Sequence, residues 1–324
     1  MSEISSIVSL FSFLPSIEKQ KAYIYLHFSV ICWSFTAILG ALIDLSAYSL
    51  VWWRVLLASL ILLFLPRLWR IVRDMGWSMI RSYSRIGVLI ALHWVCFYAS
   101  IKLGNASIAL ITLATTSLFT AIMEPYLLDE NYKWKDVFLG VLVIPAMMLA
   151  ISDFDQDKTL AFIVGIASAF LLAYLTICNR RLIHNSTPLS ITLIEMSSAL
   201  VFLTCISPIL YFTTDLRAIV PVGLDWVYLL ILTIGCTIVP YMLHLRALKE
   251  VSAFTINLIL NLEPVYGILL AIVILNDQKE FELSFYVGVL VIVTIVVIHP
   301  FLSKGRGQSK DLSLIHISEP TRPY

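Results

Sequence analysis

The chain has 324 residues, of which 60% are hydrophobic and 13% charged, and its net charge at pH 7 is +1. This composition excludes a soluble globular protein, because a soluble domain of this length needs more polar surface. The near-zero net charge gives no sign of a nucleic-acid partner, and we expect none.

Long apolar runs fill most of the chain, and a helix of roughly 20 apolar residues crosses a hydrocarbon core. A transmembrane barrel would instead show segments of about ten residues with alternating polarity. We therefore predict an all-α integral membrane protein with about ten transmembrane helices in a lipid bilayer. The predicted helices are residues 22–43, 47–65, 85–103, 106–128, 137–152, 160–179, 189–212, 226–247, 253–275 and 283–302.

The lysines and arginines predict the orientation of these helices. Most of the 22 fall in alternate connections, which the positive-inside rule places in the cytoplasm. Both termini are then cytoplasmic, and the protein is a multi-pass protein of the cell (inner) membrane.

The two ends of the chain are interpreted separately. No basic residues precede the apolar patch at 7–14, so we expect residues 1–21 to be a cytoplasmic or interfacial segment and not a cleaved signal peptide. Residues 304–324 form a cytoplasmic tail. Within it, residues 312–324 resemble the in-frame translation of a sequencing adapter, and we interpret them as a scar without functional weight.

A weak internal repeat divides the chain in two. The stretch Ser100–Lys102 matches Ala247–Lys249, and the same offset aligns the helices that follow each stretch. We predict a first five-helix repeat at 22–152 and a second at 153–303. Because five is an odd number of crossings, the second repeat lies inverted in the membrane, an arrangement found in many transporters.

Three stretches resemble the drug/metabolite transporter superfamily and its EamA-like ten-helix exporters. They are Ala99–Leu110, Ser117–Pro125 and, most specifically, Ser252–Gly267. The resemblance implies two inverted five-helix repeats and export of small metabolites, such as amino acids or amphipathic compounds. It does not imply one particular substrate.

The motifs that the chain lacks narrow the function further. No Walker A, H-E-x-x-H or G-x-S-x-G motif and no C-x-x-C pair occurs, so we expect no cofactor, no metal and no enzymatic activity. A secondary transporter working by alternating access, with proton coupling as one option, is the leading hypothesis. The alternatives are a passive facilitator and, with less support, an intramembrane enzyme or receptor. A homodimer is compatible with either kind of transport.

Ionisable residues inside a membrane cost about 2.5 to 3.5 kcal/mol at a helix centre and mark candidate sites. Glu263 lies mid-helix beside Pro264, and Asn257 and Asn261 form a polar stripe with that proline. We predict that Glu263 and the two asparagines belong to a substrate or proton pathway. The alternative is a carboxylate that only satisfies a neighbouring helix.

A second candidate group lies in the third and eighth helices. His93 is followed by Trp94 and Tyr98, a combination that suits an aromatic or cationic ligand or a proton relay. The alternative is a buried histidine bonded to a carbonyl. Tyr241 follows Pro240, so we expect it near a kink beside the cavity.

The remaining candidates concern gating. Glu124 lies near a cytoplasmic helix end, and we predict that it is a substrate contact, part of a gate or a member of an ion pair. Glu195 could pair with His244 across an inner gate. Snorkelling to the interface is the alternative for that pair. Arg54, beside two tryptophans, is interpreted as an interfacial anchor, with an acidic substrate as its alternative partner.

Two prolines are predicted hinges. Pro240 and Pro264 each remove a backbone donor from a helix of the second repeat. Thr116 and Ser117 stand where a proline would match Pro264, so we expect the corresponding helices of the first repeat to be stiffer.

Overall fold

The structure is a computed structural model that describes residues 16–150, 158–211, 219–267 and 283–303. Every regular element in these ranges is a helix, which confirms the predicted fold class. The α-helices are α1 (Ile17–Trp33), α2 (Thr36–Leu42), α3 (Ala47–Leu63), α4 (Pro66–Arg73), α5 (Trp77–Leu103), α6 (Ala106–Leu128), α7 (Trp134–Ala150), α8 (Thr159–Leu182), α9 (Pro188–Tyr211), α10 (Asp225–Thr233), α11 (Val239–Ala247), α12 (Ala253–Leu260) and α13 (Leu283–Ser303).

Seven helical stretches in this part of the chain are long and apolar enough to cross a membrane. They are Ile17–Leu42, Trp77–Leu103, Ala106–Leu128, Thr159–Asn185, Pro188–Pro208, Asp225–Ala247 and Leu283–Pro300. An eighth candidate is α3 with α4, but the two are bent by 92°. The exposed Trp69 and the arginines of α4 are typical of a helix that lies in the interface.

The fifth and ninth predicted spans are not among these seven stretches. α7 has 17 residues and is short for a span, while only the part of 253–275 up to residue 267 is described. The first helix begins at Ile17, capped by Ser16, five residues before the predicted start of the first span at residue 22. The predicted scar lies outside the described residues.

Helices from the two halves pack against each other in matched pairs. α3 packs on α9, α6 on α12 and α7 on α13, and the contact of α1 with α11 has its counterpart in α5 with α8. In the predicted repeats, these pairs join the second helix with the seventh, the fourth with the ninth and the fifth with the tenth. Two copies related by a twofold axis produce this pattern of pairs.

Small residues allow the close contacts between halves. Gly165 of α8 faces Thr112 and Ser100, and a Cβ at that glycine would collide with the Thr112 hydroxyl. Such close approach is how helices associate in lipid, where burial of apolar side chains gives little driving force.

Both predicted proline breaks lie in the second half. A π-helical turn, Ile234–Ile238, joins α10 to α11 just before Pro240. α12 ends at Leu260, and helix resumes at 263–267 beside Pro264. The matching helices of the first half, α5 and α6, are continuous over 27 and 23 residues.

Candidate functional site

A buried cavity of about 70 Å³ lies where helices of both halves meet. Helices α1 to α3, α5 and α6 contribute to it from the first half, and α8, α11 and α12 from the second. Its polar and aromatic lining residues are Trp33, Thr36, Arg54, His93, Trp94, Phe97, Tyr241, His244 and Glu263.

Arg54 is the cationic residue of this cavity, and its interpretation as an interfacial anchor is wrong. Its side chain is 1% exposed, since it lies seven residues after the start of α3, about two turns into the helix. Nε donates to the Thr237 hydroxyl at 2.5 Å and Nη1 to the Tyr98 hydroxyl at 2.9 Å. The guanidinium is therefore held by both halves of the protein.

The third bond of Arg54 follows from a proline. Pro240 has no N–H, so the Cys236 carbonyl lacks the donor that an α-helix would supply. Nη2 of Arg54 donates to this carbonyl at 3.0 Å. The proline thus creates an acceptor for the arginine, a signal in the sequence that could have located Arg54 in the protein centre.

The Arg54 guanidinium is covered by an aromatic ring, and some of its N–H donors have no acceptor among the described residues. Cζ of Arg54 lies 3.9 Å from the ring centre of Trp94, a cation–π contact. A guanidinium carries five N–H donors, and the protein accepts from three of them. The other two donors have no acceptor within the described ranges.

Glu263 is the acidic residue of the same cavity. It is 5% exposed and follows the interruption after α12. Within the described residues, Arg54 and Glu263 form no ion pair within 4.0 Å. The cavity therefore presents one positive and one negative group that do not directly neutralise each other.

His93 lines the cavity and also bonds to a carbonyl. Its Nδ1 lies 2.9 Å from the backbone oxygen of Ser168 on α8. The Ser168 hydroxyl also lies 2.9 Å from Nδ1. Because a carbonyl only accepts, the contact assigns the hydrogen of a neutral imidazole to Nδ1, and Nε2 is then the acceptor. His93 can therefore be bonded to a carbonyl and still offer Nε2 to a ligand or a proton relay, so its two predicted roles are compatible.

The asparagine stripe of α12 faces α6. Asn257 donates to the Thr120 hydroxyl at 2.8 Å, and Asn261 lies 3.5 Å from the Ser117 hydroxyl. Neither asparagine lines the central cavity, although Asn261 borders a smaller void next to Glu263. Their contacts join the two halves.

Glu195 and His244, predicted as a pair across an inner gate, form no ion pair with each other in the structure, because Tyr241 lies between them. The Tyr241 hydroxyl donates to Oε2 of Glu195 at 2.7 Å. The Tyr241 ring stacks on His244 with 5.9 Å between ring centres. His244 lines the cavity, whereas Glu195 lies behind the tyrosine.

Glu124 joins the halves at one end of the molecule. Its carboxylate accepts from the Ala253 and Phe254 N–H groups at 2.8 and 3.0 Å, and from Arg180. Arg180 also bonds Glu130 at 3.0 Å. We call these contacts of Glu124, Arg180, Glu130 and the α12 N-terminus the latch. A carboxylate at a helix N-terminus is favoured by the orphan N–H groups and the helix dipole.

Comparisons with known proteins agree with this architecture. The sequence profile of the EamA-like transporter family matches residues 20–152 and 159–299. The uncharacterized transporter YetK of Bacillus subtilis (strain 168) is 25% identical over 256 residues, covering 74% of this chain and 74% of YetK. A solved crystal structure superposes with a TM-score of 0.70 at 14% identity, over 89% of this chain and 99% of its own. The two tandem profile matches indicate a duplicated arrangement.

Proposed function

Because the chain belongs to the EamA-like transporter family, we propose that it carries a zwitterionic, amphipathic metabolite of the amino-acid type across the membrane by alternating access. The protein is a transporter and not an enzyme. The observation that supports this substrate class is the placement of Arg54 and Glu263 in one cavity without an ion pair between them.

The charges of the cavity match those of a zwitterion. A carboxylate can accept from the two remaining N–H donors of Arg54, and an ammonium group can donate to Glu263. Each ligand charge would then be compensated by a buried protein charge, which offsets the cost of removing both from water. Trp33, Trp94 and Phe97 offer aromatic surface for an apolar side chain.

Access to this site requires movement. Pockets that hold small molecules usually measure about 300–1,000 Å³, so the cavity must enlarge to admit a metabolite. The latch links the halves at one end. At the other end, Trp53 donates to the Ile219 carbonyl at 2.8 Å, and Asp225 accepts from the Asp44 N–H at 3.1 Å. Opening either set of contacts alone would expose the cavity to one face in turn.

Orientation, direction and assembly are part of the proposal. The positive-inside rule places the latch and both termini in the cytoplasm, and the family resemblance implies export. The passive facilitator is the alternative, and it would use the same cavity. Assembly as a homodimer stays a prediction.

Binding to purified protein tests the substrate class. The probes are phenylalanine, its methyl ester, which lacks the carboxylate, and phenylpropionate, which lacks the amine. We expect the wild type to prefer phenylalanine to either analogue by about 10- to 100-fold, the range for bonds to charged groups. Arg54→Gln should abolish the preference over the ester, and Glu263→Gln the preference over phenylpropionate.

The matched control is Arg181→Gln, which removes an exposed arginine and should bind like the wild type. Equal affinity of the wild type for all three probes would refute the zwitterion site. So would an Arg54→Gln variant that still discriminates against the ester.

A further inference from the structure

Glu195 is a fully buried carboxyl group that lies outside the central cavity. It is 0% exposed on α9, and its Oε2 accepts from the Tyr241 hydroxyl. That hydroxyl in turn accepts from the Asn179 amide at 2.9 Å. The three residues form a cluster, here called the Glu195 cluster, that joins α8, α9 and α11 of the second half.

The Glu195 cluster has fewer donors than acceptors. Within the described residues, Oε1 of Glu195 and Oδ1 of Asn179 are buried and have no hydrogen-bond partner. A carboxylate offers about four acceptor sites, and the donors near this one are the Tyr241 hydroxyl, at 2.7 Å from Oε2, and the Asn179 amide. An ionised carboxylate with so few donors is costly inside a membrane, whereas one added proton removes the charge.

Among the residues that the structure describes, no cationic side chain lies within ion-pair distance of Glu195. Gly87 of α5 lies against the Glu195 backbone so closely that a Cβ there would collide with it. The titratable groups that face Glu195 are Tyr83 from α5 and, from α11, Tyr241 with His244 behind it. The cationic groups of α3 and α4 do not face Glu195. Arg54 of α3 is bonded in the central cavity, and the arginines of α4 are exposed or line a separate crevice.

We propose that Glu195 is the proton-binding site that couples transport to a proton gradient. This inference rests on the proposed function. In one facing state, Oε1 takes a proton from the open side and the carboxylate becomes a neutral carboxyl. In the other state, the same O–H bond breaks and the proton leaves to the opposite side, so one proton crosses per cycle.

Tyr241 links the proton site to the substrate site. Its ring lines the central cavity, and its hydroxyl is the donor that stabilises the ionised form of Glu195. A ligand that displaces Tyr241 therefore changes the affinity of Glu195 for a proton, and the proton changes the affinity for the ligand by the same factor. Glu263, by contrast, faces the cavity of Arg54 and is assigned to the ligand ammonium group.

Two assays in proteoliposomes distinguish proton coupling from substrate transport itself. Labelled phenylalanine is followed in two assays: counterflow at equal pH on both sides, and accumulation driven by a pH gradient. We expect the wild type to perform both. Glu195→Gln, which mimics the protonated form, should keep counterflow within about twofold and lose gradient-driven accumulation. Glu250→Gln, which changes an exposed acid, is the matched control and should keep both.

A second variant covers the case in which Glu195→Gln does not fold. Tyr241→Phe removes the donor to the carboxylate, so proton release should need a higher pH. We expect the pH profile of its remaining exchange to move upward by about one unit, the equivalent of one hydrogen bond.

The proton site would be overturned by accumulation by Glu195→Gln under a pH gradient, by an unmoved pH profile in Tyr241→Phe, or by wild-type accumulation driven by a sodium gradient at clamped pH. Wild-type counterflow without any response to a pH gradient would also refute it while leaving the proposed function intact. Absence of wild-type counterflow would instead refute the proposed function.

Discussion

At the scale of single residues, Arg54 combines a charge with a fixed geometry. Its planar fork donates to three acceptors at once, whereas a lysine ammonium is a compact charge on a flexible stem. We expect Arg54→Lys to keep the preference for phenylalanine over its methyl ester but to bind phenylalanine about tenfold more weakly. Calorimetric titration of the purified variant checks this. Wild-type affinity would show that the fork is not required.

The fold of the helices could be read from the sequence more easily than the partners of their side chains. The sequence indicates Glu263 because a charged group in an apolar helix needs a compensating environment, and it indicates Tyr241 because that residue follows Pro240. Asn257 was not recognised as an inter-half contact, since its partner Thr120 lies on a helix far away in sequence. The tryptophans beside Arg54 predict a position at the membrane interface, whereas the structure places this residue in the central cavity.

At the scale of helices, Pro264 is predicted to act as a hinge. The helix is interrupted at residues 261–262, and alanine at 264 would restore the missing N–H. We expect Pro264→Ala to straighten this helix and favour one facing state, so that transport slows about tenfold while affinity changes far less. Binding and vesicle transport of the variant are to be measured together. Parallel loss of both would indicate a role in shaping the site.

The latch is a second element with a testable role. Glu124→Gln keeps the shape of the side chain but removes the charge that holds Arg180 and the α12 N-terminus. We expect the cytoplasmic side to open more often, so that Thr36→Cys in the cavity reacts several-fold faster with an impermeant maleimide in inside-out vesicles. Glu18→Gln is the control, because Glu18 is an exposed acid that bonds Lys21 and lies outside the latch. Equal labelling rates in both variants would argue against a gate.

The sequence predicted the helices themselves well and their interruptions in part. Because proline lacks an N–H, the positions of Pro240 and Pro264 predict the helix interruptions that lie beside them. The separate helix α4 was not predicted, because its eight residues lie in a charged connection and its bend from α3 depends on packing. The early start of α1 depends on the Ser16 cap, which apolar patterning does not reveal.

At the scale of the whole molecule, the predicted topology can be tested by labelling. Cysteines introduced at Asp155 and Asp277 should react with an impermeant reagent from outside the cell. Cysteines at Arg73 and Arg181 should react only after the membrane is opened. The distribution of lysine and arginine is the physical basis. Labelling of the Arg73→Cys variant in intact cells would overturn the orientation.

The duplicated arrangement was predictable, but the central cavity was not. An internal match and an odd number of helices suggested two inverted copies. Which helices meet at the centre depends on the packing of α1 to α3, α5, α6, α8, α11 and α12, and no short sequence pattern encodes those pairs. The cavity thus joins residues as distant in sequence as Trp33 and Glu263, which are 230 positions apart.

The central claim is that Arg54 and Glu263 form a transport site between two moving halves. Counterflow in proteoliposomes tests it most directly: vesicles loaded with unlabelled phenylalanine are diluted into a trace of labelled phenylalanine. The account predicts a transient accumulation of label with the wild type and with Arg181→Gln, and none with Arg54→Gln. Accumulation by Arg54→Gln at the wild-type rate would contradict the account, as would the absence of accumulation with the wild type.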